Sequence, residues 1–288
     1  MAQLSIARMK RSAKDLYHEV HDPWLRLKTR SNWKRRQSAS VPHRLPKPLI
    51  VSLTSYPPRF ETLGLTLRCL LAQSVKADAT ILWIAHQDRQ ALTEDIAALA
   101  SQGIMIRYCD DVRSHKKYAY AFREFADCFV VTVDDDAYYW PTWLEDLIAG
   151  YRPNTREFAC LRAHKVVLTD TGDPAPYDQW EQNTDDSRAF PKIFPTGLGG
   201  VLYQPAAMDP DVTNLDRAMT LTPTADDLWL YWMARRAGFC FRKVGRRRRV
   251  HTWTGTQAQA LYQMNSVQVN GNDIQIKAMI DAYGCPWR

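Results

Sequence analysis

Cys128-Phe129-Val130-Val131-Thr132-Val133, stopped abruptly by Asp134-Asp135-Asp136, is the stretch on which the fold of this chain turns. Six apolar or β-prone residues without a polar break read as a strand buried on both faces, the type found in parallel sheets. In open parallel sheets ligands bind beyond the carboxyl ends of the strands, and here that end delivers three carboxylates. Like charges this close raise one another's pKa, a cost that a divalent cation removes. The two-residue period of a strand sends Asp134 and Asp136 to one side and Asp135 to the other. Asp134 and Asp136 are therefore expected to share one Mn²⁺ or Mg²⁺, with phosphate and water completing the shell. A nucleoside diphosphate derivative is the ligand this implies. The structural alternative is a solvated acidic turn in which Asp136 caps the next helix.

On the amino-terminal side the pattern alternates. Strands are expected at 49–54, 80–85 and 104–109, and helices at 61–73, 90–101 and 117–126. Such alternation predicts an α/β fold with a mostly parallel sheet flanked by helices, joined by right-handed crossovers. On the carboxyl side the spacing predicts strands at 158–168 and 199–203. Between them lies a long polar stretch, 170–198, and loops of that length are commonly functional. A helix over 225–237 ends at Gly238, a strand pair 239–244 and 248–253 flanks Gly245, and the tail 256–283 is expected to be helical in part. The chain divides into a basic extension (1–47), a body (48–255) and a tail (256–288).

Further candidate residues follow. Thr224 precedes the helix that carries Asp226 and Asp227. Asp227 either closes a capping box with Thr224 or acts as a general base towards an acceptor hydroxyl. His251, at the end of an expected strand, is a structural histidine or a metal ligand from a distant part of the chain. Lys116 and Lys117 open a helix where cations can meet phosphate, and Arg246 to Arg249 form a basic run.

Net charge is +7 over 288 residues, and residues 1–48 alone carry +9, so the body is slightly acidic. The basic character belongs to the extension, and charge alone does not make the body a nucleic-acid binder. Three readings fit residues 1–40, where Tyr17, Trp24 and Trp33 stand among the cations: a solvated helical or disordered extension, peripheral attachment to anionic membrane, or RNA binding. No run approaches the roughly 20 apolar residues of a spanning helix. Six scattered cysteines lack a C-x-x-C pair and read as thiols of a reducing compartment. With no apolar signal stretch near Met1, the protein is expected to be cytoplasmic, with peripheral contact at the inner face of the membrane as a variant of that reading.

These pieces, taken in order, resemble the inverting nucleotide-sugar glycosyltransferases of GT-A fold, closest to the family-2-like bacterial enzymes of capsule and lipopolysaccharide synthesis. The matching stretches are Val51 to Arg59, Leu71-Ala72-Gln73-Ser74, Val133 to Asp136, Pro195 to Tyr203 and Thr224 to Trp229. The resemblance implies a Rossmann-like nucleotide-binding half plus an acceptor half. It implies that Asp134 and Asp136 are the outer members of the D-x-D metal motif. Thr54, Ser55 and Tyr56 then line the nucleotide, with Asp135 beside them. Asp110 or Asp111 reads the base, the glycine-rich stretch 197–200, with Gly199 and Gly200, floors the donor or acceptor pocket, and Asp226 with Asp227 supplies the base. The implied donor is a nucleotide diphosphate sugar and the acceptor a glycan or lipid-linked glycan. No Q-x-x-R-W motif of processive members is present, so a single transfer is expected. Two rivals remain. One is a nucleotidyltransferase, although Ser55 to Arg59 stands where a glycine-rich phosphate loop would be. The other is a basic membrane- or nucleic-acid-binding adaptor with an inactive body.

Overall fold

The computed structural model describes residues 13–36, 41–255 and 271–287, with side chains from residue 20 and none at Arg36. The expectations for residues 1–12 and for 256–270, including Thr256-Gln257, lie outside the described residues. In chain order the elements are helix α1 (Ala13–Arg36), strands β1 (Val41–Pro42) and β2 (Leu49–Thr54), α2 (Phe60–Leu71), β3 (Val75–Lys76), β4 (Ala79–Ala85), α3 (Glu94–Ala100), β5 (Ile104–Cys109), α4 (Lys116–Glu124) and β6 (Phe129–Thr132). There follow α5 (Trp143–Ile148), β7 (Glu157–Cys160), β8 (Ala163–Lys165), β9 (Ile193–Pro195), β10 (Val201–Tyr203), α6 (Leu215–Leu221), α7 (Asp226–Arg236), β11 (Cys240–Lys243) and α8 (Gly271–Tyr283).

Seven strands form one sheet in the order β11-β7-β10-β6-β2-β4-β5. Strand β2 pairs in parallel with β4 and β6, β4 with β5, and β7 with β11. Strand β10 runs antiparallel between β6 and β7. This is the mainly parallel α/β sheet that the alternation predicts. Its inner strands β2, β4 and β6 are buried on both faces because both faces are covered, whereas the edge strand β5 is partly exposed. Ile50, Ile81 and Val130 join a core layer with Tyr118, Phe122 and Trp229, while Val51, Leu82 and Val131 join one with Leu63, Leu67 and Trp143.

Three expectations need correction. The strand 158–168 is two pieces, β7 and β8, interrupted at Leu161-Arg162, where Gly199 packs so closely that a Cβ on it would stand 2.5 Å from the Arg162 Cβ. The strand pair across Gly245 does not form. Strand β11 joins the main sheet, whereas Thr252 makes only an isolated bridge to Ala137 and Trp253 is fully buried, its indole N–H donating to Thr66 Oγ1 at 2.9 Å. The charged run Arg246 to Arg249 has no apolar face to lay on a sheet. Finally, residues 13–36 form a helix that is tied down. Leu25 enters the core, Thr29 lies against Cys69, and the buried Asp22 carboxylate meets His251 at 3.1 Å. All six cysteines are free thiols, and no helix among the described residues is long and apolar enough to cross a membrane.

Candidate functional site

Strand β6 is buried along its length, and its pairing with β2 runs one residue further through Val133 N–H to the Ser52 carbonyl, 3.1 Å. The chain then turns. Buried Tyr139 fixes the turn, its hydroxyl accepting the Asp134 N–H at 2.9 Å and lying 3.2 Å from the Asp134 carbonyl. The three aspartates leave this corner in different directions and find different partners.

Asp134 points at Lys117, 2.8 Å away. Lys117 lies in the first turn of α4 and is only 4% exposed. The same ammonium stands 2.8 Å from Asp226, in an ion pair rather than an aligned hydrogen bond. Burial alone would lower the Lys117 pKa, but Asp134, Asp226 and Asp227 together raise it well above the usual lysine value, so it stays charged. Asp226 and Asp227 open α7. Their neighbour Thr224 exchanges two hydrogen bonds with Gln275 of α8, and the cap position of the helix falls on Ala225, which has no side-chain oxygen. Both oxygens of Asp227 accept the Gly197 backbone N–H, at 3.1 and 3.0 Å. Desolvation, reinforced by Asp226, lifts the Asp227 pKa to about 7.

Asp135 and Asp136 turn to the first-strand loop. Ser55 donates to Asp135 at 2.5 Å, and Arg59 holds Asp136 at 2.5 Å and Asp135 at 3.5 Å. Burial raises the Asp135 pKa to about 6 against the pull of Arg59, and raises that of Asp136 as well. Arg59 itself is pushed down by burial but held above its ordinary value by Asp135 and Asp136. Asp136 caps no helix: α5 begins after Thr142 without a side-chain cap.

One ion shared by Asp134, Asp136 and His251 does not fit this arrangement. Asp136 is committed to Arg59. The His251 ring is turned to Asp22 because α1 covers it, and burial lowers its pKa although Asp22 opposes this. Among the described residues no group of three or more His, Cys, Asp or Glu side chains is arranged to hold a metal. The corner gathers five carboxylates (Asp134, Asp135, Asp136, Asp226, Asp227), with Lys117 paired to Asp134 and Asp226 and Arg59 to Asp135 and Asp136, a charge balance that a bound cation would suit. The opening to solvent is at Asp134, whose side chain is 31% exposed against 5% for Lys117 and 8% for Asp226. A half-buried carboxylate completed by substrate phosphate and water would suit Mg²⁺ or Mn²⁺.

The other expected residues fall around this centre in three groups. Thr54 donates to the Trp83 carbonyl at 2.8 Å, and Tyr56 lies beside Arg59 on the surface. Past β5, Lys116 pairs with Asp111, whose Oδ1 also accepts the Arg113 N–H; burial raises the Asp111 pKa, but these partners bring it below the ordinary value. Asp110 is exposed, and its carbonyl accepts the Tyr120 hydroxyl. Lys116 thus serves Asp111, and Lys117 serves the acidic corner. Gly199 and Gly200 are packing glycines, not a pocket floor. The Gly199 carbonyl accepts the Trp143 indole N–H, and Gly200, at φ +86°, leaves no room for a Cβ against Trp143. The basic run is engaged elsewhere, Arg247 with Asp185 and Arg248 over Trp140.

Two residues of the centre are not singled out in the sequence: Arg59 has no role there, and Gly197 is one of the glycines of the expected pocket floor, 197–200. Gly197 is the glycine that matters: a Cβ there would lie 3.1 Å from each of Asp134 Oδ1, Asp227 Oδ1 and Lys117 Nζ. Its signal was the stretch Pro195 to Tyr203, which does not say which glycine faces the acids. Arg59 was visible only as the cation after Pro57-Pro58.

No family model matches the chain, and no curated protein matches it. Among solved structures, a 4-diphosphocytidyl-2C-methyl-D-erythritol synthase is similar at 12% identity and TM-score 0.44, with 76% of this chain and 99% of that one covered. An inositol-1-phosphate CTP transferase from T. maritima is similar at 10% identity and TM-score 0.40, covering 84% and 98%.

Proposed function

We propose that the chain is an enzyme that transfers one sugar from a nucleotide diphosphate sugar to a hydroxyl acceptor, with inversion. The observation that carries this reading is Asp227: a carboxylate with a pKa of about 7, held at Gly197 beside the half-buried Asp134. General bases work best with a pKa near the operating pH. In the proposed step Asp227 takes the proton of the acceptor hydroxyl. The acceptor oxygen then forms its bond to the anomeric carbon as the bond from that carbon to the diphosphate breaks on the opposite face, and the electron pair leaves with the diphosphate. Asp134 would hold a divalent ion, which when bound neutralises negative charge on a diphosphate. Lys117 keeps Asp134 and Asp226 in place, and Arg59 does the same for Asp135 and Asp136. Thr54, Tyr56, Asp110 and Asp111, at the ends of β2 and β5, are the groups within reach of a nucleoside. A glycan or lipid-linked glycan remains the proposed acceptor.

Nucleotidyl transfer is the second reading, and CTP transfer is the activity in the name of one structural neighbour. What favours it is Lys117, a cation at the carboxyl edge of the parallel strands, where a phosphate chain would lie. Against it stands the tight turn Pro57–Arg59 after β2, in place of a glycine-rich loop. One experiment separates the two. The full chain is incubated with UDP-, GDP- and dTDP-sugars, or with nucleoside triphosphates and sugar phosphates, each with Mn²⁺ or Mg²⁺. Release of nucleoside diphosphate from a sugar nucleotide supports the first reading. Release of pyrophosphate from a triphosphate overturns it in favour of the second.

A further inference from the structure

Helix α1 has two unlike sides. At 100° per residue, Asp22, Leu25 and Thr29 fall on one side, and they are buried against the body at 5%, 6% and 2% exposure. Val20, Trp24 and Leu27 fall on the opposite side, spaced as neighbours on one helix face, and are 64%, 55% and 67% exposed. Elsewhere on the described surface the exposed large apolar residues, such as Met105, Val167 and Ile274, are scattered.

The same outward face carries Lys28, Arg30, Lys34 and Arg35, and the Lys28 ammonium lies 4.5 Å from the centre of the Trp24 ring. Asp22 is the only acid between residues 20 and 35, and it is turned inward to His251 and Arg26. Over residues 20–35 the outward face is therefore apolar along its middle and cationic at its flanks, with no carboxylate of its own.

We propose that this face of α1 docks on an anionic lipid bilayer, with Val20, Trp24 and Leu27 at the boundary of headgroups and acyl chains and the four cations on lipid phosphates. An amphipathic helix lying in the interface combines these two features, and aromatic rings favour that depth. Charge selects an anionic partner. The two aliphatic side chains select lipid over RNA, because a nucleic-acid surface offers them nothing to bury against. The body holds the helix in place through Asp22, Leu25 and Thr29, so docking needs no refolding. This proposal does not rest on the reading of the Asp134 corner.

The test is co-sedimentation of the full chain with vesicles of phosphatidylcholine alone and of phosphatidylcholine with an equal part of phosphatidylglycerol. Binding is expected to the anionic vesicles, to fall steeply at high salt, and to be weak to phosphatidylcholine. Replacing Arg30, Lys34 and Arg35 by Gln should weaken it about 100-fold. Replacing Val20, Trp24 and Leu27 by Ser should weaken it by at least about 10-fold, with the melting temperature held, since these side chains touch little of the body. No binding to anionic vesicles, or binding unchanged in both variants, overturns the proposal. Binding to polyuridylate that both variants lose, with vesicle binding absent, assigns the face to nucleic acid instead.

Discussion

Asp134 and Asp227 converge on one glycine. Asp227 accepts the Gly197 N–H, and the space where a side chain would begin at Gly197 is bounded by Asp134 Oδ1 and Asp227 Oδ1, each 3.1 Å away. The end of β6 and the start of α7 thus face each other across a gap that a single methyl group would fill.

Gly197→Ala is the least invasive test of that gap. The position has no positive-φ requirement, so the backbone accepts alanine, but the methyl group enters the space between the acids and Lys117. Transfer should fall by about 10²-fold, the effect of misplacing reacting groups by about an ångström, while the melting temperature moves little. Full activity in this variant would place the chemistry elsewhere.

The raised pKa of Asp227 makes a paired prediction about rate and stability. As a base, its ionised form is the active one, so kcat/KM should rise with pH and level off above about 7. Stability should move the other way. Between 3.8 and about 7 the folded state binds more protons than the unfolded state, so stability falls as pH rises through that window and the full penalty applies above it. Asp227→Asn should lose about 10²- to 10⁴-fold in turnover. Measured in a chelator at pH 8, it should melt higher than the parent, by roughly 2–4 °C for each kcal/mol relieved, and the difference should vanish below pH 4.

Asp134 and Asp136 should part company on mutation. Asp134→Asn removes the carboxylate most open to solvent at the corner, so any rise in melting temperature with Mn²⁺ plus nucleotide should be lost; it also leaves the buried Lys117 with fewer acidic partners, so the metal-free protein should melt lower as well. Asp136→Asn leaves buried Arg59 with Asp135 alone. That loss of a buried partner should cost about 3–5 kcal/mol, read by denaturant unfolding, with the Mn²⁺ response kept. The reverse pattern would restore Asp136 as the ligand.

The seat of α1 should be sensitive to acid. Burial holds the His251 pKa below its ordinary 6.5, so the unfolded state binds more protons as pH drops below 6.5 and stability is lost there. Burial also acts on Asp22, but Arg26, His251 and the Thr254 N–H outweigh it and hold its pKa below 3.8. That contribution is present above 3.8 and is lost only below it. The protection factors of α1 amides, which correct for the slower intrinsic exchange at low pH, should fall as pH drops below 6.5, and His251→Gln should flatten that step.

Much of the sheet was legible because it depends on local pattern. Leu49–Thr54, Ala79–Ala85 and Phe129–Thr132 are largely apolar runs of strand length, and a strand buried on both faces must be written that way. The carboxyl half was less legible. Four arginines and a split strand at Arg162 carry no period, and their placement follows from a glycine packed against Arg162 and from a neighbouring bridge to Ala137.

The sequence by itself determined which chemical groups this protein brings to the edge of its sheet, because a buried strand must end where Asp134-Asp135-Asp136 begins and a helix must start near Asp226-Asp227. Only the tertiary structure decided how those charges are divided. Asp136 went to Arg59, Asp134 and Asp226 to Lys117, and His251 to Asp22. Buried charges are stable only when paired, and pairing is fixed by which segments meet in space, which no spacing along the chain records.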